Sequence, residues 1–190
     1  MKLGDTVVFG SYQQQPIEWF VVGMDQFNNN CTLLSRYALD VVKYNKDQKK
    51  ATWANCTLND WLNSNFLNSA FSTNELYSLI QTKVEDSQDY VWIPSAAELE
   101  SWLSLIGNTA AVKGTSFCST RNTVTGTPIY VNSNTGTSSW WLRSPSTTKK
   151  AEFVTGAGKI GGGNNPPDVV DNGVRPVVKV NLDWFRQAGH

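Results

Sequence analysis

The sequence predicts an α+β protein with small mixed or antiparallel sheets, two or three flanking helices and long C-terminal loops. Three observations carry this prediction. Short runs of β-branched and aromatic residues lie near both ends of the chain, and capped helical segments lie between them. A stretch rich in Gly, Thr, Ser and Asn fills much of the second half. The 190 residues, 40% of them apolar, fit a single domain over residues 1–190.

The first third of the chain predicts a three-stranded hairpin sheet. Residues 6–9 form a short strand that Gly10 closes. Residues 17–24 carry apolar side chains on both faces, which is typical of a central strand. The asparagines at 28–30 then turn the chain into a third strand over residues 31–34.

Three helices are predicted next, because their first residues are good caps. Thr57 can accept hydrogen bonds from the free amides of a helix that runs toward Phe66. Capping boxes, Ser72-Thr-Asn-Glu and Ser95-Ala-Ala-Glu, begin the other two helices. Apolar side chains follow each cap at helical spacing, so we expect these helices to turn one face to the core.

The second half predicts short strands separated by loops. The expected strands cover residues 90–93, 129–131, 140–143, 151–155 and 174–180, and those at 140–143 and 151–155 are expected to pair with each other. Residues 107–139 have weak periodicity and predict a long loop apart from the short edge strand. Residues 156–173 hold three consecutive glycines, three asparagines and two prolines, and predict another loop.

Composition excludes several classes of partner and chemistry. Lysine and arginine number 16 against 16 acidic residues, so no nucleic-acid partner is expected. No apolar run approaches the roughly 18–20 residues that cross a bilayer, so no membrane insertion is expected. The chain shows no signal peptide, which leaves its location open, with display on a virion or cell surface as one setting. Cys31, Cys56 and Cys118 predict buried thiols, with a Cys31–Cys56 bridge left open.

Catalytic groups are scarce in this sequence. The single histidine is His190, at the end of the chain, which argues against protease-type triads and histidine-based zinc sites. The glycines at 156–161 are not followed by a helix, so they do not predict a phosphate-binding loop. A pair of carboxylates remains an alternative, and so does calcium held by Asp168 and Asp171 with Asn164 or Asn165. No cofactor is expected.

Two motifs near the C-terminus carry a resemblance to known families. They are Trp-Leu-Arg-Ser-Pro at 141–145 and Gly-Val-Arg-Pro at 173–176, with Ala-Glu-Phe-Val at 151–154 between them. Their order resembles the C-terminal part of C-type-lectin-fold proteins, in particular formylglycine-generating-enzyme-like domains and variable proteins diversified by retroelements. Together with upstream motifs such as Ile17-Glu-Trp and Trp61-Leu-Asn, they also resemble an uncharacterised bacterial domain family.

The resemblance implies a C-type-lectin-like fold in which a fixed scaffold holds variable side chains. Formylglycine-generating relatives bind copper through two cysteines close in sequence, whereas Cys118 has no such neighbour, so oxidase activity is not expected. The positions that match the variable surface are Ser146, Thr147, Thr148, Glu152, Lys159 and the loop from Asn164 to Asp171.

The residues around the two motifs predict how such a surface would be held. Arg143 and Arg175 stand at strand ends, where each guanidinium can clamp carbonyls or carboxylates of neighbouring loops. Trp140 and Trp141 point to opposite faces of their strand, and we expect Trp140 to meet solvent or ligand. The predicted ligand contacts are Tyr130, Asn132, Trp140, Ser146, Thr147, Thr148, Glu152, Lys159, Asn164, Asn165, Asp168 and Asp171.

The sequence therefore predicts a binding protein without enzymatic activity, whose C-terminal loops contact a protein or glycan ligand. It leaves the oligomeric state open, with a monomer as one possibility. Two alternatives stay open. One is a structural or accessory module of a bacterial surface or phage-tail protein. The other is a carbohydrate-active enzyme that uses a pair of carboxylates.

Overall fold

A computed structural model describes residues 1–46, 51–124, 131–143, 151–161 and 171–187, with the backbone alone at 121–124 and 171. The strands are β1 Thr6–Tyr12, β2 Gln15–Asp25, β3 Asn30–Ser35, β4 Asp40–Lys43, β5 Thr82–Val84, β6 Ser87–Asp89, β7 Val91–Trp92, β8 Trp140–Trp141, β9 Phe153–Val154, β10 Asp171–Val174 and β11 Val177–Asn181. The α-helices are α1 Thr57–Trp61, α2 Leu67–Ala70, α3 Thr73–Ser78, α4 Ala96–Trp102, α5 Ser116–Val124 and α6 Leu182–Gln187. This mixture of short helices and small, mostly antiparallel sheets confirms the predicted α+β class.

The larger sheet has five antiparallel strands in the order β1-β2-β3-β11-β7. Its first three strands are the predicted hairpins, each slightly longer than the sequence indicated. Trp19 of β2 is fully buried, and its indole N–H donates to the Phe9 carbonyl at 2.7 Å. The Phe71 ring packs against both aromatic rings, so this sheet face forms part of the core.

The smaller sheet has four strands in the order β4-β10-β8-β9. Strands β10 and β8 are parallel, with Gly173 opposite Trp140, and the other two pairs are antiparallel. The predicted pairing of β8 with β9 is confirmed. A side chain at Gly173 would place its Cβ 3.0 Å from both the Ala38 Cβ and the Ser139 carbonyl oxygen. Glycine therefore allows these strands to approach closely.

The last predicted strand, over residues 174–180, is two strands in different sheets. β10 ends at Val174, Arg175 and Pro176 follow, and β11 begins at Val177. The Pro176 carbonyl accepts from the Ser35 amide at 2.9 Å, which joins this corner to β3. Since proline has no N–H for a ladder, the chain leaves one sheet here and enters the other.

The predicted helix starts are confirmed where a capping box marks them. Ser72 and Glu75 cap α3, and Ser95 and Glu98 cap α4. The cap of α1 was predicted one residue too late, because the Cys56 sulfur accepts from the Asn59 amide and Thr57 is already helical. The helix predicted toward Phe66 includes a π-helical turn, Leu62–Phe66, between α1 and α2.

Helix α5 lies inside the stretch that the sequence predicted as a loop. Its start is fixed by Thr115, whose hydroxyl accepts from the Cys118 amide at 3.2 Å. Serine, threonine and asparagine dominate this helix, and their weak helical propensity hid it from the sequence analysis. Of the predicted strand over residues 129–131, the described part is Val131, which bridges to Ser138.

All three cysteines are buried free thiols, so the Cys31–Cys56 bridge that the sequence left open is absent. Burial raises the pKa of Cys31 and Cys118 to about 12 and that of Cys56 to about 11. Among the helices of the described residues, none has the length and apolar character needed to cross a membrane.

Candidate functional site

The directions of the four strands in the smaller sheet define two ends. β8 and β10 begin where β4 and β9 end, because β8 and β10 are parallel to each other and antiparallel to β9 and β4. We term this the loop end, and its described residues are 43–46, 131–139, 155–161 and 171. The opposite end, termed the clamp end, holds residues 142–143, 151–152 and 174–175.

A tight hairpin over residues 131–138 forms one part of the loop end. Its strands meet at the Val131–Ser138 bridge, and the Asn132 amide donates to the Thr137 carbonyl at 2.8 Å. The Asn132 side-chain oxygen accepts from the Asn134 amide at 3.0 Å, so Asn132 helps to hold its own turn. Residues 133–136 are exposed at the tip.

The turn over residues 155–159 lies beside this hairpin. The Thr155 amide donates to the Lys159 carbonyl at 3.0 Å, and the Thr155 hydroxyl accepts from the Lys159 amide at 3.1 Å. Gly158 has φ +84°, and a Cβ there would lie 3.0 Å from the Ala111 nitrogen. The Thr137 hydroxyl donates to the Gly156 carbonyl and joins hairpin to turn. The structure thus brings Asn132 and the exposed Lys159 to the same end of the sheet.

Trp140 does not reach the surface, which corrects the sequence-based expectation. It is fully buried, and its indole N–H donates to the Ala110 carbonyl at 3.0 Å. Trp141 is also fully buried, and its N–H donates to the Val42 carbonyl at 2.8 Å. The alternation of the strand does send the two rings to opposite faces, but both faces of this sheet are covered. Trp140 therefore belongs to the framework under the loop end.

Arg175 is a buried cation at the clamp end. Its Nε donates to the Ser35 carbonyl oxygen at 2.7 Å, and its guanidinium carbon lies 5.1 Å from the centre of the Trp140 ring. Burial lowers the pKa of Arg175 to about 9, because the charged form loses its water. Its Nη1 has no hydrogen-bond partner within the described chain. The guanidinium thus joins β3 to the corner after β10, as a clamp would.

Arg143 makes a wider set of contacts at the clamp end. Its Nε donates to Glu85 at 2.8 Å, its Nη1 to the Ile93 carbonyl at 3.0 Å, and its Nη2 to Glu98 at 2.9 Å. Glu98 also caps α4 through Ser95, so one carboxylate serves both the helix and the arginine. The side chain of Arg143 is 9% exposed. It ties β8 to the β5–β6 turn and to the start of α4.

Two of the remaining predicted contacts, Asp171 and Glu152, lie at opposite ends of the smaller sheet. Asp171 begins β10 opposite Lys43 at the loop end. Glu152 lies at the clamp end, where its carbonyl accepts from the Leu142 amide at 3.0 Å. Tyr130, Ser146, Thr147, Thr148, Asn164, Asn165 and Asp168 lie outside the described residues.

The described residues that border the predicted contacts at 146–148 and at 164–168 lie at opposite ends of the smaller sheet. Residues 143 and 151, which border the segment of Ser146–Thr148, are at the clamp end. Residues 161 and 171, which border the segment of Asn164–Asp168, are at the loop end. The parallel pairing of β8 with β10 separates them.

The chemistry available at the loop end is recognition by neutral polar groups and ammonium groups. Its exposed described residues include Asn134, Thr135, Lys46 and Lys159. Amides and hydroxyls both donate and accept, whereas an ammonium only donates. No group of three or more His, Cys, Asp or Glu residues that could hold a metal ion occurs in the described ranges.

A second polar surface was missed by the sequence analysis. α3 and α6 line a groove with Tyr77, which is 86% exposed, and Trp184. The signal in the sequence was that Tyr77 lies off the apolar face formed by Leu76, Leu79 and Ile80. Sequence alone could not pair α3 with α6, because more than a hundred residues separate them.

Comparison with known proteins gives a family without an assigned activity. No curated protein matches the chain. No solved structure matches it either. One family, described as "Domain of unknown function (DUF6273)", matches residues 28–182, which include β3 to β11 and both ends of the smaller sheet. The chain therefore belongs to the DUF6273 family.

Proposed function

We propose that this domain binds a protein or glycan ligand through its loop end and performs no reaction of its own. We further propose that its fold is C-type-lectin-like, on the strength of the two C-terminal motifs and their order. The observation that carries the proposed function is the convergence of four chain segments at one end of the smaller sheet.

The convergence places segments from distant parts of the sequence side by side. The end of β4, the hairpin at 131–138, the turn at 155–159 and the start of β10 share this end. Surfaces made of several loops on a sheet are a common form of recognition site, because each loop can change without altering the sheet.

The framework below supports such a surface by being rigid. Trp140 and Trp141 are fully buried and hydrogen-bonded through their indole N–H groups. Trp141 also meets the rings of Tyr44 and Phe153 edge-on, at 5.7 and 6.3 Å between centroids. A preorganised base limits the conformational entropy that loops above it lose on binding.

Two features support the absence of a reaction at this site. The only histidine is His190, which lies outside the described residues and outside the loop segments. The three thiols are buried with raised pKa values, so at neutral pH they are protonated and are not nucleophiles. The loop end instead offers amides, hydroxyls and lysines, which suit binding.

The division between the two ends leads us to propose which of the predicted residues contact the same ligand. We propose that Asn132, Lys159 and Asp171, which lie at the loop end, contact one ligand, and that residues 164–168 contribute to the same contact because the chain on both sides of them, at 161 and 171, is at that end. Glu152 lies at the clamp end, as do residues 143 and 151, which border Ser146, Thr147 and Thr148, so we propose that these four side chains do not contact the loop-end ligand. The resemblance to retroelement-diversified proteins leads us to propose that side chains of these segments vary among relatives while the buried framework stays fixed.

The test is a binding screen with matched variants. The purified domain is labelled and screened on arrays of glycans and of cell-surface proteins. The double variant Asn132→Ala/Lys159→Ala is compared with Lys83→Ala, which removes an exposed lysine from β5, the strand just before the Glu85 that Arg143 contacts at the clamp end. We expect the double variant to lose the ligand that the parent binds, and Lys83→Ala to keep it.

A second pair of variants tests the division of the surface. Replacing residues 164–168 should weaken binding of the same ligand, whereas replacing residues 146–148 should leave its affinity unchanged. Thermal stability should remain close to that of the parent in both cases. The proposal fails if neither array gives a ligand, or if the 146–148 variant alone loses it.

A further inference from the structure

The groove between α3 and α6 has the chemistry of a carbohydrate subsite. It has a volume of about 360 Å³ and is lined by two aromatic residues, Tyr77 and Trp184, and by polar residues that include Asn74, Asn181, Asp183 and Gln187. From this combination we propose that the groove binds a neutral saccharide. Nothing in the loop-end proposal requires this site, because the two share no residue.

The aromatic residues supply surfaces on which a sugar ring can stack. One face of a pyranose carries mainly C–H groups, and its edge carries hydroxyls. Tyr77 is 86% exposed, so most of its ring is available for contact. Trp184 is half-buried, and its ring meets Phe9 edge-on at 5.6 Å, which fixes its position. A fixed aromatic ring offers apolar area at little entropic cost.

The polar residues can satisfy the hydroxyls at the edge of the sugar. The side-chain amides of Asn74 and Gln187 form no hydrogen bond with other residues of the described chain, so their donors and acceptors are open to a ligand. The Asn181 oxygen, by contrast, is already held by the Asp183 amide at 2.8 Å. Uncommitted amides beside aromatic rings match a ligand that presents both hydroxyls and C–H groups.

The charges around the groove favour a neutral ligand. Asp183 is the one charged residue among those that line it. Its carboxylate contacts Arg186 Nη1 at 2.8 Å, and Arg186 also donates to the Asn29 side chain. Hydrogen bonds from Asn29 and Arg186 lower the pKa of Asp183, so it is ionised and its charge is balanced locally. An anionic or cationic ligand would find no uncompensated partner here.

The two walls of the groove are held in place by β11. The Ile80 amide, just after α3, donates to the Lys179 carbonyl at 2.8 Å, and Leu79 bridges to Val180. α6 continues directly from β11, and the Leu182 amide donates to the Asn29 carbonyl at 3.0 Å. Both walls thus rest on the same strand, and the groove exists before a ligand arrives.

The experiment uses saturation-transfer difference NMR with the full chain. The probes are the methyl glycosides of glucose, galactose, mannose and N-acetylglucosamine. We expect at least one probe to receive saturation at its ring C–H protons. Tyr77→Ala should weaken that binding by about tenfold, because it removes one stacking face. Tyr77→Phe should retain it, since the ring remains.

Matched controls distinguish binding in this groove from nonspecific binding to exposed aromatic residues and from binding at the loop end. Phe27 is 96% exposed but does not line the groove, so Phe27→Ala should bind the probe as the parent does. Asn132→Ala/Lys159→Ala should also bind it, whatever happens to the loop-end ligand. The inference is overturned if all four probes fail, if Tyr77→Ala binds as well as the parent, or if added salt weakens binding as for a charged ligand.

Discussion

Replacing Arg143 with alanine measures how strongly the clamp end is held. The side chain is 9% exposed and donates to two carboxylates, Glu85 and Glu98, and to the Ile93 carbonyl. The substitution removes all three contacts and leaves both carboxylates without their shared cation. Because β8, the β5–β6 turn and α4 meet at this side chain, its loss weakens three elements at once.

The expected cost follows from the burial of each partner. Breaking a fully buried ion pair costs about 3–5 kcal/mol. Here the carboxylate side chains of Glu85 and Glu98 keep 40% and 34% exposure, so water replaces part of the lost interaction. We therefore expect Arg143→Ala to lower the free energy of unfolding by about 2–3 kcal/mol.

The matched control is Arg36→Ala, which breaks an ion pair of similar length whose arginine is much more exposed to solvent than Arg143. Arg36 lies 2.7 Å from Glu18, and the two side chains are 42% and 37% exposed. Its loss should cost about 1 kcal/mol or less, even with its contacts to the Phe20 and Tyr37 rings. Arg143→Lys should fall between, because lysine keeps the charge but lacks the planar fork.

Urea unfolding followed by circular dichroism gives the three free energies. A difference of less than about 0.5 kcal/mol between Arg143→Ala and Arg36→Ala would refute the reasoning, because burial would then not decide the strength of the clamp. A change in the slope of the transition would show that the unfolded state had changed instead.

Three other predictions concern the framework. Trp140→Ala should lower the free energy of unfolding, measured in urea, by about 3–5 kcal/mol, since the ring is fully buried. A cost below about 1 kcal/mol would contradict the burial of Trp140. Gly10→Ala should lower the free energy of unfolding by at least about 1 kcal/mol more than Gly136→Ala does. Both glycines have positive φ, but only at Gly10 would a Cβ lie 2.7 Å from the Ala70 carbonyl oxygen. Equal costs for the two variants would contradict the steric argument. The three thiols should resist a disulfide reagent at neutral pH until the chain unfolds. The unfolded chain releases these protons first, so stability should fall as pH rises from the ordinary thiol pKa toward the raised values of about 11 and 12, and a flat pH profile would argue against burial.

Features set by neighbouring residues were predictable from the sequence. The capping boxes at Ser72 and Ser95 and the hairpin of β2 with β3 each depend on a few adjacent positions. Helix α5 was missed because its composition argues against a helix, and the cap at Thr115 was the local signal that could have revealed it.

Features set by distant pairing were not predictable. The split at Arg175 and Pro176 depends on where β3 lies, and the burial of Trp140 depends on layers that cover both faces of its sheet. The parallel pairing of β8 with β10 decided which candidate residues share a surface. No spacing in the sequence encodes that direction.

Gly173, at the parallel pairing of β8 with β10, has a consequence for engineering this domain. Its tight fit against Ala38 and Ser139 allows β10 to lie beside β8, and this parallel pairing is what sets the loop end and the clamp end apart. Libraries of substitutions at the loop end can therefore be selected without changing the residues of the clamp end. A single copy of the chain would then serve as a scaffold with two independently evolvable faces, provided that the glycine is left untouched.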